Sequence, residues 1–529
     1  SSKFNEKGFY TRALLGEDSD KKREESIKLL SKNISYKENE EHLKNIDAGI
    51  NRNFNDFPYL DYIFTRDIFN EGVDIPEINQ VIMLRPTESP IVFVQQLGRG
   101  LRRADDKDYV VIIDFIGNYD NNYMIPLALS GDKSYNKDTM RRYVSEGTRI
   151  IPGCSTIHFD EIAKSRIFTS IDSAKTNDVK LIKESFENLK FRLGRIPTVL
   201  DFKKYGSIDV NKIFEKFGSY YAFLVKYYPN EYSIRLDGTK ANILEFISKK
   251  ITNVKRIHEL ALLKHLLKQD RRIFTYYKTI MKDFYGKDIS PRVEESVVRS
   301  LTNEFANEQE RKKYKDCVLI EKLDVGYKLE DRFLKMLLED RNFSSMVEEL
   351  IDYGIERFEE NFSDSYGDTN FQLYQKYTYE DVCRLLNWKK NMNAQNIGGY
   401  FYDAETKTLP VFINYNKSED AIGYEDRFIT KDHLVALSKK PRKVDSKDAD
   451  HFFKRTEEDK DNKILLFVRK NKDDKEAKEF YFLGEIFAFG QPHPVSITRD
   501  DKTYDAFEIN YKMDVPVRDD IYEYMLSGV

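Results

Sequence analysis

The chain changes its pattern of hydrophobic and polar positions twice, which divides it into three parts. The first part, up to about residue 150, contains short apolar runs rich in β-branched and aromatic residues, separated by stretches with helical periodicity. The apolar runs lie at 60–64, 81–84 and 109–115, and the helical stretches include 19–31 and 90–102. Strands that alternate with helices predict a parallel sheet covered on both faces.

The middle part, from about residue 159 to 362, predicts charged helices, because apolar residues recur at spacings of three and four, as in 241–269. A polar, turn-rich segment at 363–370 predicts a boundary. The last part is rich in Phe, Tyr, Ile and Val, which predicts a β-rich domain with flanking helices at 379–386 and 518–526. Its predicted strands lie at 399–402, 409–415, 464–470, 479–489, 494–498 and 506–513.

We therefore predict a multidomain chain with an α/β lobe at 1–158, an α-helical coupler at 159–362 and a β-rich domain at 363–529. A length of 529 residues fits roughly three or four domains. No apolar run reaches the 18 or so residues that a membrane span needs, and the N-terminus carries no apolar leader. Hence we expect no membrane contact and a cytoplasmic location.

Charge and cysteine content narrow the function classes. The net charge is −4, from 86 basic and 90 acidic residues, so nucleic-acid binding would need a local basic face. Cys154, Cys317 and Cys383 lie far apart and form no CxxC pair. A disulfide framework and a structural zinc site are both disfavoured, and we expect no bound metal in this chain apart from nucleotide-associated Mg²⁺.

The sharpest chemical signal is the run Gln95-Gln96-Leu97-Gly98-Arg99-Gly100-Leu101-Arg102, on a predicted helix that follows a strand. It matches the Q-x-x-G-R-x-x-R motif of superfamily 2 helicases. About 30 residues upstream, the run from Thr65 to Asp74 resembles the preceding motif of that family. Arg99 and Arg102 are three positions apart, on one helical face, where two guanidinium groups can converge on a γ-phosphate. The alternative is a surface helix whose arginines pair with local carboxylates.

The resemblance implies a second RecA-like lobe and a role for each motif residue. Thr65 would contact the nucleic-acid backbone, Asp74 would reach the nucleotide ribose, and Gln95 would position the attacking water. The implied catalytic residues are Gln95, Arg99 and Arg102, and the implied nucleotide-binding residues are Gly72, Asp74, Arg99 and Arg102.

The other half of such a motor has no counterpart in the sequence. Neither a G-x-x-x-x-G-K-[ST] loop nor a following acidic box occurs, so the cofactors ATP and Mg²⁺ would be bound mainly by a first lobe outside these residues. We therefore expect the chain to be the C-terminal part of a longer protein, and the fragment alone not to hydrolyse ATP. No histidine is followed two positions later by lysine, as a phospholipase-D-like nuclease would require.

The helical part carries two features that point to DNA. Residues 193–198 (Leu-Gly-Arg-Ile-Pro-Thr) and 217–220 (Phe-Gly-Ser-Tyr) resemble a small helicase-associated or homing-endonuclease-associated module, which implies DNA contact. Residues 237–292 combine surplus positive charge with aromatic side chains, a pattern suited to tracking a phosphate backbone. The alternative is a solvated helix face whose aromatics are core. The expected DNA-binding residues are Thr65, Arg195, Lys255, Arg256, Arg271 and Arg272.

The β-rich part resembles the domain that ends a group of bacterial superfamily 2 helicases, through runs such as 376–382, 385–388, 409–413 and 424–428. That resemblance extends to ATP-dependent, modification-dependent (type IV) restriction enzymes. Those enzymes join a phospholipase-D-like nuclease, a helicase motor and this domain, and they cut DNA that contains 5-methyl- or 5-hydroxymethylcytosine.

Gly423-Tyr424-Glu425-Asp426 resembles a stretch of SRA domains, which flip a methylated cytosine into a pocket. A flipped base needs an aromatic face to stack on and a carboxylate to accept from cytosine N4–H. Tyr424 is expected to stack, Asp426 or Glu425 to accept, and Phe428 or Trp388 to close the other side. The alternative is a turn with one half-buried tyrosine and two solvated acids. The fold is accordingly expected to be SRA-like or a barrel.

These observations predict part of an ATP-dependent, DNA-translocating restriction enzyme for antiviral defence. Its partner would be double-stranded DNA carrying modified cytosine, and homodimerisation through an absent nuclease domain is compatible with this reading. Two alternatives remain open: a repair or processing helicase whose C-terminal domain recognises lesions or junctions, and a non-catalytic DNA-binding adaptor. An intact Gln95, Arg99 and Arg102 set speaks against the adaptor, because a scaffold does not need two convergent arginines.

Overall fold

In a computed structural model of the chain, the described residues divide into two compact units. The first contains residues 1–132 and 147–174, and the second contains residues 133–146 and 175–529. The described residues are 1–32, 44, 59–65, 75–84, 93, 98, 107–115, 122–146, 156–174, 179–268, 273–324, 326–392, 399–415, 426–470, 478–499 and 502–526.

The first unit contains the parallel strand pairs that the alternation of strands and helices predicts. Its described elements are α1 (Ser2–Asn5), β1 (Thr11–Leu14), α2 (Asp20–Leu30), β2 (Tyr62–Thr65), β3 (Gln80–Met83), β4 (Val111–Asp114) and α3 (Met124–Ser130). Strand β1 pairs with β2 and β3 pairs with β4, both in parallel. Ser19 caps α2 by accepting a hydrogen bond from the Lys22 backbone N–H, which explains where the predicted helix begins.

The chain then contributes α4 (Lys137–Glu146) to the second unit and returns to the first with α5 (Glu161–Ser173). The helical part of the second unit follows. Its helices are α6 (Val179–Leu193), α7 (Val199–Lys204), α8 (Asn211–Phe217), α9 (Tyr220–Tyr227), α10 (Gly238–Phe246), α11 (His258–Leu267), α12 (Ile273–Tyr285), α13 (Pro291–Leu301) and α14 (Glu308–Lys313). The antiparallel pair β5 (Ile320–Lys322) and β6 (Tyr327–Leu329) leads into α15 (Asp331–Glu339) and α16 (Arg341–Asn361).

The β-rich part contains β7 (Lys376–Tyr377), α17 (Tyr379–Leu385), β8 (Thr408–Asn414), β9 (Arg427–Thr430), β10 (His433–Leu437), α18 (Lys447–Phe453), β11 (Lys463–Arg469), β12 (Phe480–Arg499), β13 (Lys502–Met513) and α19 (Asp519–Leu526). The strand order is β8-β11-β12-β13-β10-β9, with β7 added beside β12. Strands β8 and β11 are parallel, and the other neighbours are antiparallel. Among the described strands β8 and β9 stay unpaired with each other, so the sheet is a half-barrel and not a closed barrel.

Strand β12 is one 20-residue strand, where the sequence predicted two. The predicted strands were 479–489 and 494–498, and prolines lie in or beside the gap between them, at 492 and 494. Pro494 faces Phe507, whose backbone N–H and C=O are both bonded to Ser438 on the other side of β13. The nitrogen of Pro494 therefore points away from β13, where its missing hydrogen removes no bond of the ladder.

One hydrophobic core continues across the predicted boundary at residue 362. It extends from Ile182 through the helices to Phe371, Phe412, Phe467 and Phe482 of the β-rich part. A second core fills the other face of the sheet, between the strands and α18 and α19. The helical part therefore covers one face of the sheet, and the C-terminal helices cover the other.

The alternation of β12 side chains between the two faces of the sheet reverses at Gly484. Phe480 and Phe482 belong to the first core, whereas Leu483 and Ile486 both belong to the second. Gly484 has φ +95°, a conformation that costs glycine little and other residues much, and an added Cβ would meet Leu373 and Tyr366 at 3.4 and 3.5 Å. Beyond this point, residues 487 and 489 lie on the same face as the first core and are exposed.

No helix among the residues that the structure describes is long and apolar enough to cross a membrane.

Candidate nucleic-acid interface

Most of the predicted motor residues lie outside the described residues. Thr65 is the last residue of β2 and is exposed, as a contact to a nucleic-acid backbone requires. Gly98 is helical and exposed, in agreement with the predicted motif helix. Gly72, Asp74, Gln95, Arg99 and Arg102 are outside the described ranges, and their roles stay predictions.

Arg195 lies at the surface and is held in a two-pronged ion pair. Its Nη1 is 2.7 Å from Asp201 Oδ2 and its Nη2 is 3.1 Å from Asp201 Oδ1, with about half of the Arg195 side chain exposed. Burial would raise the pKa of Asp201, but Arg195 and the Thr198 backbone N–H outweigh burial and lower it. Arg195 can therefore meet a phosphate with its exposed edge, and its DNA role stays a prediction.

Lys255 and Arg256 do not lie on a DNA-facing surface, contrary to expectation. Lys255 is 5% exposed, and its Nζ lies 2.6 Å from Glu479 Oε1 and 3.0 Å from Asp381 Oδ2. Arg256 is 1% exposed and pairs with Glu259, with Nη2 2.6 Å from Oε1. The pairs of Lys255 tie the helices to the β-rich part, whereas the Arg256–Glu259 pair lies within the helical part. Neither cation is available to a phosphate. Arg271 and Arg272 lie outside the described residues.

The residues predicted to form a base pocket are not brought together. Trp388 is 2% exposed and belongs to the first core, where its Nε1 donates to Thr408 Oγ1 at 2.9 Å. Phe428 is 7% exposed and belongs to the second core, stacked on Tyr415. Neither ring can close on an extruded base in this arrangement, which corrects that part of the prediction.

Of the two acidic residues predicted for the pocket, Asp426 lies within the described residues and Glu425 does not. Asp426 Oδ1 accepts a hydrogen bond from the Leu437 backbone N–H at 2.9 Å, so it fixes the entry into β9. Tyr424 and Glu425 lie outside the described residues. The Gly-Tyr-Glu-Asp stretch nevertheless ends directly before Arg427, the first residue of β9.

An uncovered stretch of sheet begins beside this point, and we call it the open face. It consists of the side chains of β12, β13, β10 and β9 that point away from the second core, beyond the cover of the helices. Phe487 and Phe489 are 39% and 44% exposed there, whereas Ile486, which precedes them on the opposite face of the strand, is buried. Two adjacent exposed phenylalanines on one strand mark an interaction surface more strongly than scattered apolar residues do.

Polar and charged side chains share the open face with the two phenylalanines. In the antiparallel pair of β12 and β13, Phe487 lies opposite Lys512 and Phe489 lies opposite Asn510. His433 of β10 lies with its ring centroid 5.1 Å from that of Phe489, and its Nε2 is 3.0 Å from Asn510 Oδ1. The aromatic, amide and imidazole groups therefore form one continuous cluster.

Cations border this cluster on two sides. Arg427 Nη1 donates to Glu508 Oε1 at 3.0 Å on the β9 side. Lys454 Nζ lies 5.8 Å from the centroid of the Phe487 ring on the other side, and Lys512 is exposed between the strands. Aromatic faces, an amide and cations are the groups that stack on bases, bond base edges and neutralise phosphates.

The sequence predicted the strands of the open face in part and did not predict its function. β12 and β13 were expected, whereas β9 and β10 were not. The sequence feature that could have indicated the open face is the run 486–489, in which every residue is apolar. A strand with only one buried face needs apolar residues at alternate positions, so the additional ones are available for a surface contact.

The family comparisons separate the chain into three segments. Residues 7–104 match the helicase conserved C-terminal domain. Residues 182–361 match a domain of unknown function, DUF8090, and residues 371–525 match another, DUF3427. The first segment contains both predicted helicase motifs. Residues 7–104 are a helicase C-terminal domain.

A curated relative matches a short stretch of the chain. A Saccharomyces cerevisiae protein named "Putative ATP-dependent helicase IRC3" is 50% identical over 50 residues, which are 10% of this chain and 7% of the relative. The chain therefore matches a small part of that protein's length.

Two solved structures are similar to part of the chain. One is the "DNA recognition domain of the cytosine modification-dependent restriction endonuclease LpnPI", with 15% identity and a TM-score of 0.20, covering 27% of this chain and 74% of that one. The other is the "DNA modification-dependent restriction endonuclease AspBHI", with 14% identity and a TM-score of 0.19, covering 28% of this chain and 78% of that one. At these values neither likeness establishes a shared fold.

Proposed function

We propose that this chain provides the second motor lobe, a helical coupler and a DNA-reading domain of an ATP-dependent DNA translocase that restricts DNA containing 5-methyl- or 5-hydroxymethylcytosine. ATP and Mg²⁺ would be bound mainly by a first lobe, and the DNA would be cut by a separate nuclease domain. Motifs for neither occur in these 529 residues.

The match of residues 7–104 to the helicase conserved C-terminal domain carries the proposal. Within that segment, Arg99 and Arg102 would stabilise the charge on the transferring phosphoryl group, and Gln95 would position the attacking water. Thr65, exposed at the end of β2, would hold the nucleic-acid backbone. ATP hydrolysis would thus be coupled to movement along DNA.

The open face supports the reading half of the proposal. A 5-methyl group adds one apolar group to the major-groove edge of cytosine, which also presents the N4 amino group as a donor. Phe487 and Phe489 supply apolar surface, and Glu508 supplies an acceptor beside Arg427. Tyr424 stands three positions before Arg427, so a base stacked on Tyr424 would be close to this face.

A binding titration tests the proposal directly. The 529-residue chain is titrated at fixed salt with one duplex whose single central cytosine is unmodified, 5-methylated or 5-hydroxymethylated. We expect at least tenfold tighter binding to one modified form, equivalent to about 1.4 kcal/mol. Equal affinity for all three duplexes would contradict modified-base reading and favour the repair-helicase alternative.

A second measurement distinguishes a translocase from a non-catalytic DNA-binding adaptor. DNA-stimulated ATP hydrolysis by the full-length protein is expected for a translocase, and its absence would favour a non-catalytic adaptor. Tighter binding to a duplex with a mismatch or a fork than to any modified duplex would favour lesion recognition.

A further inference from the structure

A basic loop runs beside the hairpin of β12 and β13, and nothing in the proposed function uses it. It runs from the end of β10 to the first residue of α18, Lys447, and contains five cations within nine residues. We call residues 439–447 the basic loop; its cations are Lys439, Lys440, Arg442, Lys443 and Lys447.

The loop is held against β13 at two points. The Ser438 backbone N–H donates to the Phe507 carbonyl at 2.9 Å, and the Arg442 backbone N–H donates to the Asp505 carbonyl at 2.9 Å. Between these points, Lys440 Nζ lies 5.1 Å from the centroid of the Tyr504 ring. The loop therefore has a fixed path along the hairpin, which places its cations before any ligand binds.

Asp445, Asp448 and Asp505 lie in or beside the loop and compensate its five cations only in part. Asp448 accepts from the Tyr400 hydroxyl at 2.5 Å and from Arg442 Nε at 2.7 Å, so its charge is used within the protein. Asp505 is 3.9 Å from Lys443, whose side chain is 71% exposed. Lys440 and Lys447 are exposed as well. Three exposed cations thus stand along one side of the hairpin.

The loop borders a surface recess. Its volume is about 440 Å³, and its lining combines the cations Arg442, Lys443 and Lys447 with the acids Asp445, Asp448 and Asp505. The Ser446 Oγ is buried and has no hydrogen-bond partner among the described residues. Cations and carboxylates share this recess, so the exposed lysines around it, and not the recess as a whole, are the groups suited to phosphate oxygens.

The hairpin itself limits what the partner can be. From residue 493 to 499, β12 pairs with β13 over about 20 Å. Its other edge carries Pro492 and Pro494, and the nitrogen of Pro494 points to that edge. Proline at an open edge blocks strand addition, so a second copy of the chain would not extend the sheet here. Side chains and charge, not backbone pairing, are left to make the contact.

The loop also continues the open face. Leu437 ends β10 on that face, and the basic loop begins two residues later. A duplex bound across Phe487, Phe489 and Asn510 would run towards the loop. A two-stranded ribbon fits a DNA major groove, whose walls are phosphate backbones.

We propose that Lys440, Lys443 and Lys447 bind the phosphate backbone of duplex DNA whose bases face the open face, so that the loop fixes the DNA position without reading its sequence. This inference rests on the proposed DNA-binding function and adds a second contact to it.

The test is a salt titration of DNA binding by the 529-residue chain. Each phosphate contact contributes about 0.9 to the slope of log K against log salt. The double variant Lys443→Ala/Lys447→Ala should lower that slope by nearly two and weaken binding to modified and unmodified duplexes by the same factor. The control Lys312→Ala/Lys335→Ala removes two lysines of similar exposure, 77% and 73%, from the helical part. Lys443→Arg/Lys447→Arg should restore the slope.

The outcomes are separable. An unchanged slope in the loop variant, or an equal loss in the control variant, would overturn the loop assignment. Loss of binding to modified DNA alone would also overturn it, because a backbone contact cannot discriminate between bases. If the wild-type chain binds DNA without preferring modified cytosine, the proposed function fails while the slope still tests the loop. If it binds no DNA, both fail.

Discussion

The Tyr524 hydroxyl donates a hydrogen bond to Asp138 Oδ1 at 2.6 Å, although the two residues are 386 positions apart in the chain. Lys376 Nζ lies 2.6 Å from the other carboxylate oxygen of Asp138. These bonds hold α4 in the second compact unit. The segments before residue 133 and after residue 146 both belong to the first unit. Asp138 therefore fixes the point at which the chain enters the second unit.

We predict that Asp138→Asn will destabilise the second unit by about 3–5 kcal/mol, because it leaves the Lys376 ammonium without its buried charge partner. Tyr524→Phe, which removes a single hydrogen bond and no charge, should cost about 1–3 kcal/mol. Urea denaturation followed by fluorescence measures both. Equal effects of the two variants would contradict the importance of the ion pair.

The same site predicts a dependence of stability on acidity. Burial would raise the pKa of Asp138, but the charge of Lys376 and the hydrogen bonds from Lys376 and Tyr524 outweigh it, so the pKa lies below its ordinary value. A lowered carboxyl pKa contributes stability above the unfolded value of about 4 and loses it as pH falls through the folded value.

The wild-type protein should therefore lose stability below about pH 4 more steeply than Asp138→Asn, which no longer carries this carboxyl. Denaturation midpoints between pH 3 and 7 give the comparison. A constant difference in stability between the two proteins across that range would exclude the linkage.

For the open face, we predict that Phe489→Ala will weaken DNA binding by about 1–3 kcal/mol, the range for loss of one aromatic–base stack. The ring is 44% exposed and contacts His433, so its loss should affect the fold little. Leu338→Ala, at an exposed apolar position on α15, is the matched control. Unchanged affinity in Phe489→Ala would move the interface away from this face.

For Lys255, the structure predicts a loss of stability with no loss of DNA affinity. Burial would lower the pKa of Lys255, but Asp381 and Glu479 outweigh it and raise the pKa. Lys255→Met keeps the apolar stem and leaves the two carboxylates unpaired, which should cost about 3–5 kcal/mol. The slope of log K against log salt should match that of the wild type. A reduced slope would indicate that Lys255 contacts a DNA phosphate and would contradict its assignment to the protein interior.

The sequence identified elements where burial leaves a local pattern. Strands β8 and β11 are hydrophobic at nearly every position because both of their faces are covered, and each begins within one residue of its predicted start. Strand β9 was missed because four residues with one buried side chain, Phe428, leave too short an alternation to detect. Local pattern thus predicts an element only when a covering layer imposes it over several residues.

The site was less predictable than the fold, because charge in a sequence does not reveal its partners. Lys255 and Arg256 have the composition of a DNA-binding surface, yet Lys255 is neutralised by Glu479, 224 positions away. Trp388 and Phe428 were predicted to face one base, but the sheet places them in different cores. Conversely, Phe487 and Phe489 have the appearance of core residues and are exposed because the helical cover ends at Gly484.

The motor assignment gives the last prediction. Arg99 and Arg102 are expected to contact the γ-phosphate within a segment that matches the helicase conserved C-terminal domain. In the full-length protein, Arg99→Ala or Arg102→Ala should lower DNA-stimulated ATP hydrolysis by roughly 10³-fold or more, since such arginines stabilise charge in the transition state. DNA binding without nucleotide should be unaffected, because neither arginine is assigned to DNA. Near wild-type hydrolysis in either variant would contradict the arginine's role, whereas loss of both hydrolysis and DNA binding would indicate a folding defect.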